Sequence, residues 1–98
     1  MIDEEYEQEL EKINRTITEE DKLVQLAEEA AELAQAALKL KRAISGNNPS
    51  RKPTLNCKRD LIEEFTDVML AAKVVGLEAD AGIMAYKVCR WAGGLSGN

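Results

Sequence analysis

A chain of 98 residues has room for one small domain, and residues 1–98 are read as a single all-α unit. Eighteen acidic against 13 basic residues leave a formal charge of −5, which speaks against general electrostatic binding to nucleic acid or to an anionic membrane. Histidine is missing altogether, which removes Ser-His-Asp and Cys-His catalysis and every His-ligated zinc or di-iron site, leaving carboxylates, lysine, arginine and a metal.

The first predicted helix spans about residues 3–14, with Ile2, Tyr6, Leu10 and Ile13 on its apolar face. Thr18 followed by Glu19, Glu20 and Asp21 marks the next helix start. A threonine hydroxyl caps free N–H groups there, and the acids complement the helix dipole. This second helix is expected to run to about Ile44, with a seam of Leu23, Leu26, Ala30, Leu33, Ala37, Leu40 and Ile44 in alternating three- and four-residue steps. Such a seam favours shallow-angle packing against another helix. Residues 45–56, with two prolines, Gly46 and paired asparagines, read as a loop. A third helix is predicted from about Cys57 to Val75, with Leu61, Phe65, Val68, Ala72 and Val75 as its seam and Gly76 to end it. The fourth starts near Ala79–Asp80 and ends at Gly93–Gly94, carrying Met84, Val88, Trp91 and Leu95 on one stripe. The expected architecture is a four-helix-bundle-like domain. Its small size and paired seams point to a homodimer or homotetramer.

No apolar run reaches membrane-spanning length, and the acidic N-terminus shows no signal-peptide pattern. Cys57 and Cys89 lack metal-finger or CxxC spacing and read as reduced, partly buried thiols. A cytoplasmic protein without membrane or direct nucleic-acid partners is the expectation.

One box occurs twice: Glu28-Glu29-Ala30-Ala31-Glu32-Leu33 and Glu63-Glu64-Phe65-Thr66-Asp67-Val68. On a helix, residues i and i+3 share a face, so Glu29 pairs with Glu32 and Glu64 with Asp67. At 1.5 Å per residue, antiparallel packing brings the two pairs nearly level, each carboxylate bordering the seam. Two readings follow. Either the boxes are solvated acidic faces, common in Glu-rich helices, or the four carboxylates gather around a hard cation that cancels their repulsion. Lys87 and Arg90, again i and i+3, are either ordinary cations near a helix C-terminus or the counter-charge that a metal-bound polyphosphate needs. Phe65, Tyr86 and Trp91 are candidates for stacking on a base or, equally, core residues.

At these residues the sequence resembles the MazG-like all-α nucleoside triphosphate pyrophosphohydrolases, whose signature is EExxE, a spacer, then ExxD. The resemblance covers about residues 20–92. It implies Mg²⁺-dependent cleavage of a (d)NTP to the monophosphate and pyrophosphate, in nucleotide-pool housecleaning, with Mn²⁺ as a substitute ion. It implies Glu29, Glu32, Glu64 and Asp67 as metal ligands. Glu28 and Glu63 become outer acids that bind a second ion or orient and deprotonate the attacking water, and Lys87 and Arg90 become phosphate-binding cations. The chain departs from the family pattern in its long spacer and in Ala85, which stands where an asparagine is usual. A non-catalytic acidic oligomerisation or regulatory module, or a homologue that binds nucleotide without cleaving it, is the alternative.

Overall fold

The computed structural model describes residues 4–46 and 52–95. Among these lie four helices and no strand: α1 (Glu4–Thr16), α2 (Glu19–Ile44), α3 (Thr54–Val75) and α4 (Ala81–Leu95). Ile2, Arg51 and most of the proline-bounded loop lie outside the described residues.

The helix ends follow the local chemistry. Thr18 caps α2, its hydroxyl accepting from the Asp21 N–H at 3.1 Å. Helix α3 starts at Thr54, three residues earlier than the sequence suggests, because Pro53 is placed immediately before the first turn and its missing N–H costs nothing there. Gly76 closes α3 in the left-handed region at φ 93°, with its N–H and that of Leu77 both returning to the Ala72 carbonyl at 2.9 Å. The Asp80 side chain then accepts from the Ile83 N–H at 2.8 Å and opens α4.

Helices α2 and α3 form an antiparallel hairpin that carries most of the packing, and α1 rests against α3. Lys22, only 6% exposed, ties α1 to the start of α2. Its ammonium donates to the Asn14 carbonyl at 3.1 Å and to Glu19 at 3.4 Å. Helix α4 packs against no other helix among the described residues. The four-helix-bundle expectation is therefore corrected: a single chain has the four helices, but α4 stands apart with Trp91 76% exposed.

The seam is also displaced from the one read in the sequence. On α2 the covered positions are Lys22, Leu26, Glu29, Leu33, Ala36, Leu40 and Ala43, while Leu23, Ala30, Ala37 and Ile44 face outward. The periodicity is as expected, but the packed stripe lies one residue toward the N-terminus at every other step. On α3, Leu61, Val68, Ala72 and Val75 are covered as expected, together with Cys57, Glu64, Asp67 and Ala71, whereas Phe65 is exposed. Small residues explain the shift. Ala36 and Ala71 are both buried in the packed α2–α3 seam, where small side chains let two helix backbones come close. The acidic side chains flank that narrow line, inside the interface instead of along its border.

Candidate metal centre

The hairpin places Glu29 of α2 opposite Glu64 and Asp67 of α3. One carboxylate oxygen from each lies within 4.8 Å of the other two. Each side chain is half-buried. Glu29 Oε1 accepts from the Gln25 amide nitrogen at 3.1 Å, but Glu29 Oε2 and Glu64 Oε2 are buried with no hydrogen-bond partner. A buried oxygen without a donor is unfavourable, so two such atoms on neighbouring carboxylates need an explanation.

Electrostatics sharpen the point. Loss of hydration, followed by the charges of Glu32 and Asp67, pushes the Glu29 carboxyl above its ordinary value of 4.5, and the Gln25 hydrogen bond only partly opposes this. Glu64 is raised in the same way. Desolvation leads, then the charge of Glu32 and a hydrogen bond with it, then Asp67 and Glu29. Glu32 thus lies beside the trio, against Glu64. All four residues expected as ligands converge, three in a tight triangle and the fourth at its edge. An all-oxygen, strongly negative donor set with orphaned lone pairs fits a hard divalent cation of the Mg²⁺ or Mn²⁺ type.

Two cavities open on either side of the triangle. A cleft of about 530 Å³ is lined by Glu29 and Asp67 together with residues of the α1–α2 turn and of the C-terminal half of α3. A smaller cavity of about 320 Å³ lies toward the α2–α3 loop and is lined by Glu32, Glu63 and Glu64 together with Lys39. Glu63 is thus brought to the carboxylate group, whereas Glu28 is exposed on α2 and lines neither cavity. Lys52 is engaged with Asp60, and its protonated form is held up by that hydrogen bond and charge.

Lys87 and Arg90 are not brought to the carboxylates within one chain, because they ride on the detached α4. The Arg90 guanidinium lies 5.9 Å above the Tyr86 ring instead. None of Phe65, Tyr86 and Trp91 lines either cavity beside the triangle. Cys57 is buried as expected, but Cys89 on α4 is exposed; both are free thiols.

Sequence reasoning missed Asp21, Lys22, Gln25 and Lys39, all of which line these cavities. Their signal was present: Gln25 stands one helical turn before Glu29, and Asp21 one turn before Gln25, on a common face. Comparison with family models, with curated proteins and with solved structures finds no match.

Proposed function

We propose that this protein is a metal-dependent nucleoside triphosphate pyrophosphohydrolase of the MazG-like type, converting a (d)NTP to the monophosphate and pyrophosphate in nucleotide-pool housecleaning in the cytoplasm. The observation that carries the reading is the triangle of Glu29, Glu64 and Asp67, built into a packed seam with two oxygens left unpartnered. On a solvated acidic face these carboxylates would keep their hydration, and water would screen their mutual repulsion.

In this reading Glu29, Glu64 and Asp67, with Glu32 beside them, hold Mg²⁺, with Mn²⁺ as a substitute. The bound ion neutralises phosphate charge and polarises the phosphoryl oxygens. Glu63, an exposed acid lining the smaller cavity with Glu32 and Glu64, accepts a proton from the attacking water in this reading. The water oxygen bonds to one phosphorus of the α–β bridge, and the bridging oxygen departs with the other. Glu28 supports the negative field from outside the cavities. The phosphate-binding Lys87 and Arg90 act from the α4 of a neighbouring chain in a homo-oligomer, since among the described residues their own α4 packs against neither α2 nor α3.

The test is pyrophosphate release from a panel of canonical and modified dNTPs and NTPs with Mg²⁺, Mn²⁺ or EDTA. Metal-dependent release with the matching monophosphate is expected. Silence across the panel from a folded sample would transfer the chain to the class of acidic oligomerisation modules.

A further inference from the structure

The larger cleft has a chemistry of its own. Its apolar lining is Ile13 and Ile17 of the α1 end together with Leu70 and Val74 of α3, and Glu29 and Asp67 of the carboxylate triangle also line it. A volume of about 530 Å³ is within the range of small-molecule sites. A molecule whose phosphates reach the triangle therefore has an apolar slot open to the remainder of its structure.

The polar groups in this slot are not evenly balanced. Gln25 donates its amide nitrogen to Glu29, which fixes its orientation and leaves its carbonyl oxygen as an acceptor. Asp21, one turn earlier on the same face of α2, contributes a carboxylate. Lys22 is the cation of the cleft, and two of its three N–H donors are already placed on Asn14 and Glu19. The helical wall thus presents two acceptors in a column that leads to Glu29, with the lysine mainly holding the α1–α2 turn in position.

We propose that this cleft receives the nucleobase, and that Asp21 and Gln25 select bases presenting an amino group over thymine and uracil. An amino group donates to the acceptor column. The carbonyl in the corresponding place of thymine or uracil sets its lone pairs against a carboxylate and leaves that oxygen unpaired. The assignment rests on the nucleotide reading of the carboxylate site, and it moves base recognition away from Phe65, Tyr86 and Trp91, none of which lines this cleft.

The experiment uses full-length protein with ¹³C-labelled isoleucine methyl groups, titrated in Mg²⁺ with deoxycytidine monophosphate and, separately, with thymidine monophosphate. The two differ at the base edge by amino against carbonyl, with one added methyl group, and neither requires turnover. The cytidine nucleotide is expected to shift Ile13 and Ile17 but not Ile62 or Ile83, and to bind about tenfold or more tightly than the thymidine nucleotide. Asp21→Asn, an exposed change whose folding is verified by circular dichroism, is expected to erase that preference. Equal binding of the two, shifts confined to other isoleucines, or an unchanged preference in Asp21→Asn overturns the assignment. Selective binding without pyrophosphate release from any triphosphate would refute the hydrolase reading alone. Turnover without perturbation of Ile13 and Ile17 would refute the cleft alone.

Discussion

At the scale of single residues, the cost of crowding the carboxylates is measurable without any substrate. Glu29 and Glu64 bind their protons more tightly in the folded chain than in the unfolded one, because burial and neighbouring charge raise them above 4.5. The sign follows from linkage. Their contribution to stability is fully present below the unfolded value and is lost as pH rises through the raised folded value. Metal-free protein in EDTA is therefore expected to lose melting temperature as pH rises above 4.5, and Glu64→Gln is expected to flatten that decline. Adding Mg²⁺ at pH 7 should recover the loss in the parent chain, by mass action on the folded state, but not in the variant. Hydrolysis should fall by at least about 100-fold in Glu64→Gln, since even outer partners of a metal ligand are worth 10–100-fold. Identical pH slopes for parent and variant would show that these carboxylates do not share a field. The pairing of Glu29 with Glu32 and of Glu64 with Asp67 was legible from spacing alone. Their desolvation was not, because the large apolar residues drew the predicted seam to one side of them.

At the scale of helices, the sequence carried the number, order and punctuation of the elements, since capping and termination are local events. Thr18, Gly76 and Asp80 each act through atoms within four residues. Which face of each helix is covered is a long-range property, and alanine is a weak signal for it. An alanine in a seam looks like a gap between leucines until a second backbone is brought against it. Ala36, 7% exposed, is such a place. Ala36→Leu inserts three carbons where α2 and α3 approach closely, and overpacking of this kind typically costs about 1–3 kcal/mol. The loss should appear as a lower urea midpoint. The same wedge spreads the hairpin one to two turns from Glu29 and Glu32, so the stabilisation by Mg²⁺ should shrink with it. A destabilised variant that keeps the full response to Mg²⁺ would mean that the ion is not held across the two helices.

At the scale of the whole molecule, the single chain is more open than a compact domain of its length. Its accessible surface is 8078 Å², whereas a monomer of 10.8 kDa ordinarily exposes about 5500 Å². Its radius of gyration is 17.4 Å, against about 12.6 Å for a compact domain of this length. The surplus of about 2500 Å² exceeds the roughly 800 Å² that each partner buries in a standard interface and suits an obligate one. Much of it is apolar: Ile83, Met84, Val88, Trp91 and Leu95 of α4 are all exposed, as are Ile62, Phe65 and Met69 on the outer side of α3. In the proposed homo-oligomer a second copy of the chain would supply a matching apolar area on both sides without a further component, and a two-fold arrangement of this kind closes on itself. Such a pairing gives the detached α4 a place to pack, and it offers Lys87 and Arg90 a route to a neighbour's carboxylates that their own chain lacks. Sedimentation equilibrium is expected to give at least twice the chain mass at micromolar concentration. Replacing Val88 and Trp91 together by glutamate should yield a single-chain species with α2 and α3 still helical. It should also abolish pyrophosphate release while sparing the Mg²⁺ response of the hairpin, which one chain contains. A parent protein that stays monomeric at these concentrations would sink the pairing. A monomeric double variant with undiminished turnover would show that the phosphate-binding cations do not come from a neighbouring α4.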